Sequence, residues 1–294
     1  SAPYLLNLDS EEEGAIFIGC AGGVSVIGEI SAQKVPPREG FRAYEISVKD
    51  LQGGHSGVDI DKGIPNAIKV LADEIKSAQC DIVSIDGGER INSIPKAARA
   101  VIYAPYDFKA KNDAVNVETI EYEGGVLENS KEIIEMIVSF KQGVRSFDDE
   151  LKIPRVSINL STIKTDGNKI TVEFFARAMD KKSLEDLRDE TSEFLKSFGF
   201  DAKTEGFSAP WKPNITPFAK KLQMVARKFF KNVEFKAIHA GLECGIFENR
   251  QSSLQVASMG PNIYFPHSLR ENCEIASVER LEKIAEEIVF ELRG

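Results

Sequence analysis

The chain has 294 residues, with 42% hydrophobic and 28% charged side chains, so it can bury substantial cores and is not a disordered polymer. A net charge of −9 gives no basic footprint for nucleic acid or an anionic membrane surface. The apolar stretch Gly14–Gly28 is only 15 residues long and holds five glycines, too short and too flexible to span a bilayer.

Taken along the chain, Tyr4 to Leu8 is an apolar run that ends on Asp9 and reads as a buried strand. The stretch after it is Gly-rich and apolar. Tyr44, Ile46 and Val48 alternate with polar residues and predict a strand. Pro65 suits a first helical position, and Ile68, Leu71 and Ile75 follow at helical spacing. Ile133, Ile134, Ile137 and Val138 predict a second helix closing near Gly143. Val156–Leu160 and Ile170–Phe174 predict a hairpin about Asp166-Gly167. Leu184, Leu187, Leu195 and Phe198 predict a helix stopped by Gly199. Thr216-Pro217 opens a fourth helix, with Phe218, Leu222, Val225, Ala226 and Phe229 inward. Ser277 is expected to cap the last, through Val278, Leu281, Ile284, Ile288 and Leu292.

This order predicts an α/β chain. Residues 40–208 form an inserted α+β unit with helices on one face of an antiparallel sheet. Residues 1–39 and 209–294 are pieces of one other domain. Cys20, Cys80, Cys244 and Cys273 show no Cys-x-x-Cys spacing and read as buried thiols of a reducing compartment, which implies a cytoplasmic location. The chain opens on Ser-Ala-Pro-Tyr without Met, and a segment upstream is expected.

Three histidines stand out. His55 lies in Gly53-Gly-His-Ser-Gly57, where glycines let backbone approach closely; a tight turn holding a polar residue is the plainer alternative. His267 follows a Gly-Pro loop and could point into a cleft or serve structure. His239 precedes Glu243 by four residues, a metal-binding spacing on a helix, but Gly241 and Gly245 make a continuous helix doubtful and His239 a cleft or supporting group. Asp9 ends a buried strand, where carboxylates often face a crevice; Glu11 to Glu13 read as an acidic turn. Acids with scattered histidines suit a metal such as zinc or manganese. Phosphate-loop, dinucleotide, nucleophile-elbow and His-Glu-x-x-His motifs are absent from the sequence.

Four stretches together resemble the co-catalytic two-metal peptidases that include aminoacylase, glutamate carboxypeptidases and carnosinases, and in particular their dipeptidase branch. They are Leu5–Gly14 with Gly19–Gly23, Gly53–Gly57 with Pro65–Ile68, Arg90–Pro95, and His239–Gly245. The resemblance implies a metal-binding α/β domain carrying a ferredoxin-like lid and dimerisation domain, hence a possible homodimer. It also implies hydrolysis of short peptides such as Xaa-His by metal-activated water, with tripeptidase or amino-acid deacylase activity as alternatives. The metal is expected to be zinc, two per complete site, with manganese or cobalt as alternatives. Asp9 and His267 match single ligands of different metals. His55 matches a histidine that stabilises the substrate carbonyl oxygen, Asn92 a lid asparagine beside substrate, and Arg177 an arginine gripping the substrate carboxylate. His239 and Glu243 fall near the substrate. The family's upstream His-x-Asp does not occur before Asp9, which only eight residues precede, and Glu11 to Glu13 match the family's segment after Asp9 and not its Glu-Glu pair. The chain is thus expected to match the C-terminal part of such an enzyme. Alone, it is expected to be inactive, or to be a non-catalytic lid and dimerisation fragment.

Overall fold

A computed structural model describes residues 2–251, 253–266 and 270–293. The chain begins with β1 (Tyr4–Asn7), β2 (Ala15–Cys20), β3 (Gly22–Ser31), β4 (Lys34–Val35), β5 (Phe41–Val48) and β6 (Gly54–His55). Next come α1 (Ala67–Ala78), β7 (Asp81–Gly87), β8 (Ser93–Ile94), β9 (Ala98–Pro105), β10 (Val115–Thr119), β11 (Val126–Leu127) and α2 (Ser130–Ser139). Then follow β12 (Gly143–Asp148), β13 (Ile153–Asp166), β14 (Lys169–Ala178), α3 (Lys181–Ser197) and β15 (Asp201–Ser208). The last part holds α4 (Pro217–Ala226), β16 (Glu234–Ile238), α5 (Cys244–Arg250), β17 (Gln255–Ser258), β18 (Ile263–Tyr264), β19 (Asn272–Cys273) and α6 (Ile275–Glu291).

The chain's two ends build a small mixed sheet, in the order β1-β17-β2-β16. Its β1–β17 and β2–β16 pairs are parallel. All six residues of β2 are buried, which explains its unbroken apolar run. Ile16, Ile18 and Ala257 pack against Phe218 and Leu222 of α4 and Leu281 and Ile284 of α6. Val256, next to Ala257 on β17, instead joins Cys20, Trp211 and Cys244. Thr216 caps α4, its side chain accepting from the Ala219 N–H with Pro217 behind it. The α4 helix stops at Ala226, so Phe229 packs from the turn beyond. The cap of α6 is Glu274 rather than Ser277, because the Ser277 hydroxyl is occupied between the Glu274 carbonyl and the Asn262 N–H. Likewise Asn66, not Pro65, starts α1, accepting from the Ile68 N–H. Cys20, Cys80 and Cys244 are buried as expected, but Cys273 on the short β19 is exposed.

Between these ends lies a sheet of nine antiparallel strands, ordered β10-β5-β9-β7-β13-β14-β3-β15 with β12 on β13. Ile46, Ile82, Ile102, Ile158, Leu160 and Phe174 join Ile68, Leu71, Ile133, Leu184 and Leu195 in one core, so α1, α2 and α3 cover one face. The β13–β14 hairpin turns at Gly167-Asn168, with Asp166 opposite Lys169. On β13, residues alternating with the core-facing Ile158 and Leu160 are Ser157, Asn159 and Ser161, all buried.

The passage from one sheet to the other falls at Ala21, where β2 runs directly into β3, and not near residue 39. Both strands are buried, so residues 15–28 carry no change of pattern at the switch. The chain returns after β15, and there Cys20 and Trp211 exchange backbone hydrogen bonds of 2.9 and 3.0 Å. Gly22 permits this crossing: a Cβ there would lie 2.5 Å from the Pro210 nitrogen and the Ser208 carbonyl. Among the described residues no helix is long and apolar enough to cross a membrane.

Candidate functional site

A cleft of about 1270 Å³ opens between the two sheets, and Asp9, His55, Asn92 and Arg177 all line it. On the small-sheet side, Asp9 follows the end of β1 and is exposed. Its neighbour Ser10 is buried and pinned by a 2.6 Å hydrogen bond to Ser258, which also accepts from the Asn7 amide. The acidic turn is largely structural. Glu13 makes a bidentate pair with Arg280, and Glu12 reaches Lys236 at 2.5 Å.

On the large-sheet side, the short β6–β8 pair sets His55 opposite Ser93. The Ser56 N–H donates to the Asn92 carbonyl, so the turn carrying His55 and the loop carrying Asn92 are held together. His55 Nδ1 accepts from the N–H groups of Gly57 and Val58, each at 3.2 Å. That arrangement puts the neutral ring's proton on Nε2. The His55 N–H donates to Asp59, whose carboxyl also meets Lys62. Burial alone would raise the Asp59 carboxyl, but Lys62 and the His55 N–H outweigh it and hold it below its usual value.

Arg177 rises from β14 directly opposite Ser157 on β13 and is 5% exposed. Its guanidinium lies 4.6 Å from the Phe175 ring centroid. Burial depresses its pKa to about 10, which leaves it charged near neutrality. Its Nε has no hydrogen-bond partner among the described residues. His239, just past the end of β16, is 2% exposed, and its Nε2 lies 2.7 Å from Ser157 Oγ. Burial first, then the Arg177 and His55 charges, push its pKa down to about 3, so the ring is neutral.

The structure thus brings together Asp9, His55, Asn92 and Arg177, with His239 packed behind the wall. Glu243 is exposed as the first residue before α5 and is not among the cleft's lining residues. The glycine before it breaks the helix on which a His239–Glu243 pair would have shared a face. His267 lies outside the described residues. Ser157 is a residue that sequence reasoning missed. Its signal was present: Ser157, Asn159 and Ser161 are polar positions in a strand that is central to the sheet.

No protein-family model matches the chain. A curated relative, the cytosol non-specific dipeptidase of Escherichia coli (strain K12), is 28% identical over 325 residues, covering 99% of this chain and 66% of the relative. The crystal structure of aminoacylhistidine dipeptidase from Vibrio alginolyticus superposes with a TM-score of 0.80 at 24% identity, covering 97% of this chain and 65% of that one. The chain is similar to a dipeptidase in sequence and shares a dipeptidase fold. This likeness to the dipeptidases takes in both sheets and therefore the whole cleft. The chain spans just under two thirds of the length of each of these two dipeptidases.

Proposed function

We propose that this cleft is the substrate site of a metal-dependent dipeptidase acting on short peptides, Xaa-His among them. The observation that carries the reading is Arg177, a buried cation that lines the cleft with no carboxylate paired to it among the described residues. Burying a charge without a partner is costly, and a substrate's terminal carboxylate would supply the partner. Guanidinium geometry suits a planar carboxylate bidentately. His55, with its proton on Nε2, would donate to the carbonyl oxygen of the bond to be cut and stabilise charge developing there. Asn92, on the loop tied to the His55 turn, would orient the peptide between them.

The metal ions implied by the resemblance would polarise the carbonyl and activate water. The described donors do not by themselves fit such a centre. No three His, Cys, Asp or Glu side chains among the described residues come close enough to share an ion. Asp9 is one carboxylate at the cleft, whereas a stable zinc site takes three or four ligands. A homodimer through the inserted unit belongs to the same reading, and the outer edge of β15 is unpaired among the described residues.

Calorimetric binding of Ala-His and of its C-terminal amide to this chain tests the assignment. The acid should bind on the order of 30-fold more tightly, the scale of losing one partner of a buried charge pair. Arg177→Met should abolish that preference. Equal affinity for acid and amide in the wild-type chain would remove Arg177 from the role. Hydrolysis of dipeptides, tripeptides and N-acyl amino acids, measured with zinc on an enzyme that carries the expected upstream segment as well, then separates dipeptidase from tripeptidase or deacylase.

A further inference from the structure

His239 meets a neighbour of each of the two groups to which the proposed function gives the substrate: Ser157 beside Arg177, and Gly57 beside His55. Its imidazole leaves the small sheet and bonds Ser157 of the large one. Ser157 is the cross-strand partner of Arg177, so imidazole, hydroxyl and guanidinium stand side by side on one face. Among the described residues no carboxylate pairs with Arg177, and its Nε has no hydrogen-bond partner. Packing fixes it instead, with Phe175 at 4.6 Å on its own strand and the Ser157–His239 pair on the next. The main chain of His239 meets the other group. Its carbonyl lies so close beneath the His55 turn that a Cβ on Gly57 would stand 2.2 Å from the oxygen.

We propose that His239 is a positioning residue, a spacer that fixes the separation between Arg177 and His55 and so sets how many residues the cleft accepts beyond the scissile carbonyl. This rests on the carboxylate and carbonyl roles assigned above. In a dipeptide a single residue separates the carbonyl carbon from the terminal carboxylate, and each further residue adds up to about 3.3–3.6 Å. A separation held from both ends by one buried residue admits one of these lengths and excludes the next. The neutral state of the ring fits the task, since an imidazolium would repel the guanidinium it braces. His239 touches substrate in neither step; it acts through Arg177 and His55.

The test is calorimetric binding of Ala-His, Ala-Gly-His and Ala-His amide to the full chain in EDTA, for wild type, His239→Ala and Ser157→Ala. Wild type should prefer Ala-His over Ala-Gly-His by roughly tenfold or more, the scale expected when an ångström-level misfit is enforced. His239→Ala should bring that ratio close to unity while the preference for acid over amide persists, because Arg177 remains. Ser157→Ala, which removes one hydroxyl, should narrow the ratio part of the way. A merely structural role would weaken all three ligands together and leave both ratios unchanged. Thermal melts report which variants are folded, and if His239→Ala is not, Ser157→Ala decides alone. A length preference unchanged in the folded variants, or absent in wild type that still prefers acid over amide, overturns the spacer. Wild type that binds the amide as well as the acid overturns the carboxylate reading beneath it.

Discussion

Gly57→Ala is the most informative single-atom change in the cleft wall. The added carbon would stand 2.2 Å from the His239 carbonyl oxygen, where ordinary contact begins at 3.4 Å. The obstacle is backbone and cannot rotate away, so the His55 turn or the end of β16 must retreat by about 1 Å, at the cost of overpacking, roughly 1–3 kcal/mol. For a chain of this size each kcal/mol lowers the melting midpoint by about 2–4 °C, so a fall of roughly 2–12 °C is expected. Binding should suffer further, since a displacement of about 1 Å at a positioning group can cost on the order of 10²-fold. Gly241→Ala is the control. Gly241 lines the same cleft, yet its added carbon meets nothing within 4 Å and its φ is not left-handed. Its stability should stay within about 0.5 kcal/mol of wild type. Thermal melts followed by the single Trp211, with Ala-His calorimetry, read both variants. A Gly57→Ala chain that melts with wild type and binds Ala-His equally would show that the close approach does not hold the turn.

His239 titrates near 3 when folded and near 6.5 when unfolded, so the unfolded chain takes up the proton first. Its contribution is complete above pH 6.5 and is lost as pH falls toward 3, by about 2 kcal/mol between pH 6.5 and 5. Urea unfolding at those two pH values should show this loss in wild type and a smaller one in His239→Asn; equal losses would refute it. Zinc should be held weakly by this chain, because Asp9 brings no second and third donor among the described residues. Retention of a tightly bound pair of ions after dialysis against micromolar zinc would contradict that. Asn66→Ala should cost about 2–3 kcal/mol, since it removes the α1 cap and leaves the Leu160 carbonyl without its 2.7 Å donor. Asn66→Asp keeps the cap but turns a buried carboxylate oxygen toward the Leu160 carbonyl and the Gln142 side-chain oxygen, so it should cost at least as much as Asn66→Ala in chemical denaturation.

Elements whose signals are local were legible in the sequence. The Leu184–Leu195 periodicity ending at Gly199 and the Thr216-Pro217 start depend on neighbours within a few residues and stand as read, and the hairpin read about Asp166-Gly167 forms with its turn one residue on, at Gly167-Asn168. The α5 helix escaped because its seven residues complete only two turns and include Gly245. The switch at Ala21 escaped because burial on both sides erases alternation. At the site, His55, Asn92, Arg177 and Asp9 were legible as individual residues and reach the same cleft. What the sequence did not carry was their arrangement. Ser157 and His239 are 82 residues apart, and their hydrogen bond exists only because β16 and β13 end at the same wall.

The crossing at Ala21 has a mechanical meaning. The two walls of the cleft are joined by a paired ribbon, with Cys20 and Trp211 bonded across it, and not by a slack tether. Such a joint ties the angle between the walls to backbone hydrogen bonds, where a single unpaired linker would leave it free. The aperture of the cleft then has a preferred value written into backbone pairing, before any ligand arrives. Lengthening either strand of the ribbon by one residue would shift that angle, as unequal leaves curl a bimetallic strip, and would reset the gap between Asp9 on one wall and Arg177 on the other.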